Sequence, residues 1–188
     1  MFAVAAIAAA VAVVLASLAI AARPGGGGGS GDPTGCAHAS EPVRQITGGQ
    51  LRKAVTCLMN KQRTRHARPH LQTSQALQRA AQSHTETMVA TNCLKHVCPH
   101  EPDLEQRLRK AGYLKGARLW EFAENTGCAL SAEAMVENWM ASTYHRLNIL
   151  GRKFRDLGVG VSRRGIKDRC KPAYGTFTAV FAFRKPDA

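Results

Sequence analysis

Six cysteines, Cys36, Cys57, Cys93, Cys98, Cys128 and Cys170, constrain what this 188-residue chain can fold into more than any other feature. Whether they pair depends on the compartment. Residues 1–22 (MFAVAAIAAAVAVVLASLAIAA) carry no ionisable side chain and read as a signal peptide, with Ala19-Ile20-Ala21 as a small-x-small cleavage site, or as an N-terminal membrane anchor. No Lys or Arg precedes this run and Arg23 follows it, which also suits an uncleaved span. The cysteines all lie beyond it, so export places an even set in an oxidising space and predicts three disulfides. Sequence alone leaves many pairings open. The expected set is Cys36–Cys57, which fixes a loose arm to the first helix, Cys93–Cys98 by local proximity, and Cys128–Cys170 as the remainder.

Residues 23–46, with five consecutive glycines, read as a linker and an N-terminal arm, and residues 47–184 as one domain. Leu51, Val55, Leu58 and Met59 recur at helical spacing over 47–67, and Leu77, Ala80, Ala81, His84 and Met88 repeat the pattern over 73–91. A short third helix runs from Asp103 to Ala111 and stops at Gly112; a fourth starts at Ser131 as N-cap. Leu157, Val159 and Val161 alternate with small residues, and Phe177, Ala179, Phe181 and Phe183 form a second alternating run, predicting a hairpin around 163–174. A weaker strand covers 119–124. Helices first and strands late predict an α+β layered domain.

The net charge of +13 is unevenly placed. Residues 44–79 hold eight Lys and Arg and no acid, residues 145–171 hold nine against two acids, and residues 101–137 hold five against seven. Without a stacking-aromatic and arginine motif, this balance favours anionic envelope polymers or lipid head groups over nucleic acid.

Among the histidines, His84 sits in an apolar helix stripe and reads as a buried, hydrogen-bonded core residue, while His38, His66 and His70 have no partner spacing. Cys93, His96, Cys98 and His100 have the crowding of zinc ligands, but oxidation of the two thiols would leave His96 on a short pinned loop. No His-Glu-x-x-His helix and no Gly-x-Ser-x-Gly elbow is present.

Taken together, Ala80-Ala81-x-x-His84 with Met88, His96 followed by Arg107 and Ala111-Gly112-Tyr113, Glu124-Asn125, Trp139-Met140-x-Ser142-x-x-His145-Arg146-x-Asn148-Ile149-Leu150, and Leu157-Gly158-Val159-Gly160-Val161 resemble the CAP superfamily in its bacterial secreted form. This is the SCP-domain family of cysteine-rich secretory proteins, antigen 5 and pathogenesis-related 1. The resemblance implies an α-β-α sandwich with a central, mainly antiparallel sheet and a cleft containing His96, Glu124 and His145. Ser142 takes the place where eukaryotic members carry a second glutamate. Ala123 and Tyr144 replace two usual glycines, and Tyr144 is expected to narrow or cover the cleft.

Two imidazoles and a carboxylate from separate segments can hold a divalent metal such as zinc, with His96 and His145 as ligands, or can hydrogen-bond the segments together. The first reading of function is a secreted monomer that binds lipid, sterol or envelope glycopolymer, attached to the membrane if residues 2–22 are retained. The alternative is a metal-assisted hydrolase using Glu124 as ligand or general base.

Overall fold

The structure, a computed structural model, describes residues 35–186. The apolar segment 1–22 and most of the glycine-rich linker lie outside the described residues. The element order is α1 (Gly48–Arg65), β1 (Gln72–Thr73), α2 (Gln75–Ala90), α3 (Leu104–Lys110), β2 (Ala117–Ala129), α4 (Ala132–Ala141), α5 (Thr143–Ile149), β3 (Asp156–Ser162) and β4 (Gly175–Pro186).

Four helix starts follow from side chains that satisfy otherwise orphaned amides. Thr47 and Gln50 form a reciprocal capping box on α1; Ser74, Asp103 and Ser131 accept hydrogen bonds from Leu77, Gln106 and Ala134 amides. Gly112, at φ +80°, continues the chain beyond α3 in a conformation that disfavours other residues. Two elements had no sequence signal: the two-residue β1 and the short α5 of seven residues. The strand expected over 119–124 is longer, spanning thirteen residues, because it pairs with β4 along its length, from Ala117 opposite Pro186 to Ala129 opposite Gly175.

The sheet order is β1-β3-β4-β2, with β1 parallel to β3 and the other pairs antiparallel. Strand alternation divides the core into two layers. Leu157, Val159, Val161, Phe177, Ala179 and Phe181 point into one layer with α1 and α4, including Leu51, Val55, Met59, Met135 and Trp139. Val180 and Ala182 face the other layer with Leu77, Ala81 and Leu108. This is an α-β-α arrangement, as the family resemblance implies.

Gly158 and Gly160 account for the close seat of α2. A Cβ built on Gly158 would lie 2.1 Å from the Leu77 carbonyl carbon, and one on Gly160 would lie 2.3 Å from the Ala81 oxygen. The helix backbone therefore rests directly on β3. The arm before α1 also belongs to the folded body: Cys36, Ala39, Val43 and Ile46 are buried in the α1–α4 layer. Cys36 is bonded to Cys57.

Candidate functional site

The site is built around β2, the edge strand. Alternation directs Trp120 and Phe122 into the α2–α3 layer and Ala123 into the other. Glu124 shares the first face and Asn125 the second, so two consecutive residues reach toward opposite layers at the open sheet edge.

Glu124 is buried and receives three hydrogen bonds. Arg107 Nη1 donates to Oε2 at 2.8 Å and Nη2 to Oε1 at 3.3 Å, while His96 Nδ1 donates to Oε1 at 3.0 Å. Arg107 Nη2 also donates to the His96 carbonyl at 2.9 Å, fastening the same loop through its backbone. Burial pushes the Glu124 carboxyl upward, but the hydrogen bonds from His96 and Arg107 outweigh it and hold the group below the usual carboxylate value. The reciprocal bond raises His96 above the usual imidazole value against partial desolvation.

A second carboxylate completes the cluster. His84 Nδ1 donates to Glu101 at 2.8 Å, and Glu101 Oε2 accepts the Cys98 amide at 3.2 Å. Two buried nitrogens, His84 Nε2 and Arg107 Nε, have no hydrogen-bond partner among the described residues. Each lies near a carboxylate at ion-pair distance: His84 Nε2 is 3.6 Å from Glu124 Oε1, and Arg107 Nε is 3.9 Å from Glu101 Oε1. His84, Glu101, Arg107 and Glu124 thus form a closed ring of alternating basic and acidic groups under the exposed His96.

His145 arrives on α5 from the opposite layer. Asn125 Nδ2 donates to its carbonyl at 3.0 Å, and Asn148 Nδ2 donates to Asn125 Oδ1 at 2.8 Å. Partial burial, reinforced by His96, lowers the His145 pKa. The two site imidazoles are therefore displaced to opposite sides of their ordinary value. Ser142 is half-buried at the junction of α4 and α5, and its side chain makes no capping bond to α5. Tyr144, expected to cover the cleft, is 83% exposed and does not pack into the interior.

The three disulfides have the expected pairing. Cys93–Cys98 brackets His96, while Cys128–Cys170 anchors β2 four residues beyond Glu124. Both belong to one small apolar cluster with Met88 and Ile166. The four-ligand zinc arrangement of Cys93, His96, Cys98 and His100 is therefore not formed, because both thiols are consumed.

Glu124 spends both oxygens on a guanidinium and an imidazole. Among the described residues, no group of three or more His, Cys, Asp or Glu side chains is placed to hold a metal ion. Glu124 is therefore committed to Arg107 and His96 and is not free as a metal ligand.

His84, Glu101 and Arg107 were not recognised as site residues from sequence. Arg107 had a readable signal: it follows Leu104 by three residues and so occupies the same inward face of α3, where an arginine needs a buried acid. His84 is buried and hydrogen-bonded as expected, but its partner is a site carboxylate.

The sequence profile of the Cysteine-rich secretory protein family, CAP, matches residues 57–181, more than half of the chain. The chain belongs to the CAP family. This CAP domain is 31% identical over 113 residues to the uncharacterized membrane protein YlbC of Bacillus subtilis strain 168, a match covering 60% of this chain and 32% of that protein. The match thus spans about a third of the curated relative's length. An extracellular SCP-domain protein from Bacillus anthracis has a similar fold, with TM-score 0.57 and 26% identity, covering 74% of this chain and 44% of the other. An outer surface protein from Borrelia burgdorferi shares the fold at TM-score 0.62 and 17% identity, covering 74% and 97% of the respective chains.

Proposed function

We propose that this CAP domain is exported and acts by binding, holding a lipid, sterol or anionic envelope glycopolymer at the cleft between His96 and His145. Glu124 carries the argument. A carboxylate held below its ordinary pKa by Arg107 and His96 is a weak proton acceptor at neutral pH, and its oxygens are already committed. The same geometry suits a polar junction that presents one imidazole of raised and one of lowered pKa to a ligand. Export is supported by three disulfides and by likeness to an extracellular SCP-domain protein. Among the described residues, no helix is long and apolar enough to cross a membrane; attachment would rest on residues 2–22.

The test is a mass-spectrometric inventory of lipids, polymers and metals copurifying with the full chain and with Glu124→Gln. One ligand class should be enriched with the native chain and depleted from the variant. Equal recovery would overturn cleft binding. Turnover of an ester or glycan panel that falls by orders of magnitude in Glu124→Gln, with the fold intact, would assign the hydrolase instead.

A further inference from the structure

Arg79, Ser83 and Thr87 stand about one helical turn apart on α2 and line a cavity of about 370 Å³, whose lining is completed by residues 100–102 and by the end of α3. Ala80, Pro102 and Ala111 make its apolar part. Arg79 bridges the two helices: its Nη2 donates to the Ala111 carbonyl at 3.0 Å, which fixes the guanidinium at the cavity before any ligand arrives. The charge of the lining does not cancel. Arg107 is answered by Glu124, and Glu101 spends its oxygens on His84 Nδ1 and the Cys98 amide. Arg79 and Lys110, by contrast, have no acidic side chain within ion-pair distance among the described residues, although Arg109 beside Lys110 pairs with Glu105. The Ser83 hydroxyl and the His100 ring, both in the lining, make no hydrogen bond among the described residues.

We infer that this cavity binds a small organic phosphate monoester, its phosphoryl group held by Arg79 and Lys110 with the Ser83 hydroxyl as a further donor, and its body against Ala80, Pro102 and Ala111. Charge decides among the anions. A phosphomonoester carries about −1.5 to −2 near neutral pH, which two unmatched cations complement, whereas a carboxylate or a phosphodiester carries a single charge. The guanidinium offers paired planar donors and the ammonium a compact point charge, a combination that fits a phosphoryl group. Volume decides against the bare ion, since 370 Å³ lies in the range of sites for small organic ligands. None of His96, Glu124 and His145 lines this cavity, so the site is additional to the proposed cleft and stands whatever that cleft holds.

Calorimetric titration of the full chain at about pH 8, where monoesters are doubly charged, and about 0.15 M salt tests it. The titrants are glycerol 3-phosphate, glucose 6-phosphate and adenosine 5′-monophosphate, with glucose, dimethyl phosphate and inorganic phosphate as separate arms. At least one monoester should bind saturably at a single site and about tenfold or more tighter than inorganic phosphate, while glucose and dimethyl phosphate give no binding. Arg79→Gln and Lys110→Gln, both at exposed positions, should each weaken it about tenfold or more, and Arg109→Gln should leave it unchanged. Hydrogen–deuterium exchange should slow over 79–87 and 100–111 with the bound monoester. Failure of all three monoesters to bind, or inorganic or dimethyl phosphate binding as tightly as they do, would overturn the proposal. An equal loss in Arg109→Gln would also overturn it, assigning the binding to the diffuse +13 charge of the chain. Protection over 95–97 and 143–149 instead would move the ligand to the histidine cleft and remove this site.

Discussion

At the residue scale, the deciding contrast is between the two site histidines. His96 is bonded to Glu124, and that bond favours its charged form; His145 is partly desolvated beside His96, and both influences favour its neutral form. A pH titration followed by imidazole NMR should therefore find His96 above and His145 below about 6.5. Replacing Glu124 by Gln should move His96 downward toward its ordinary value. Two histidines titrating together near 6.5 would contradict the geometry. Arg63 provides a second residue-scale test. Its guanidinium is wholly buried and donates to the carbonyls of Pro69, Ile149, Gly151 and Phe154. Burial, with Arg155 and Arg68 nearby, lowers its pKa to about 10. It ties the end of α1 to the turn after α5, the helix that carries His145. Because lysine has no planar fork to span those acceptors, Arg63→Lys should destabilise by roughly 3 kcal/mol in denaturant unfolding. A loss below about 1 kcal/mol would show the carbonyls to be satisfied otherwise.

At the element scale, the repeated small residues of β3 have a direct structural meaning. Leu157, Val159 and Val161 supply one core layer, while Gly158 and Gly160 leave room for the α2 backbone. Gly158→Ala should cost about 3 kcal/mol or prevent folding, because the added methyl meets backbone atoms that cannot rotate away. Thermal unfolding measures it; a melting temperature within a few degrees of the native chain's would mean that α2 shifts freely. The legible parts of this fold were those with local signals. The Ser131 N-cap, the stop at Gly112 and alternation in β3 and β4 can each be read within a few residues. β1 and α5 could not, since each is short and depends on distant partners: β1 on pairing with β3, and α5 on Asn125 and Asn148 hydrogen bonds. The site divided similarly. His96, Glu124 and His145 were named through the family resemblance, and the structure bonds the first two to each other. Glu101 joined the cluster only when the loop closed by Cys93–Cys98 brought its carboxylate to His84 and the Cys98 amide.

At the scale of the whole molecule, this polar junction connects the α2–α3 layer, the edge strand and α5, so its titration should appear in global stability. The signs differ among its members. Glu124 has a folded pKa below its ordinary 4.5, so its contribution is present above that value and is lost as pH falls through the folded pKa. His96 has a folded pKa above 6.5, so its contribution is complete below 6.5 and is lost as pH rises through the folded pKa. His145 works oppositely: with its pKa lowered, it resists protonation and costs stability as pH drops below 6.5. The difference between native and His96→Ala stability should therefore be largest below about 6.5 and shrink toward alkaline pH, while that for Glu124→Gln should be largest above about 4.5 and shrink in acid. The His96 side chain is 61% exposed, so solvent screens its share of this dependence. Chelator should leave the melting temperature unchanged throughout, because the Glu124 oxygens are held by hydrogen bonds from Arg107 and His96. Denaturant unfolding of the three proteins from about pH 4 to about pH 9, with and without chelator, reads all of these differences together. A chelator-sensitive shift abolished in His96→Ala would replace the hydrogen-bonded junction with a metal site. Parallel pH profiles for the native chain and both variants would show that the contacts around Glu124 are not coupled to folding.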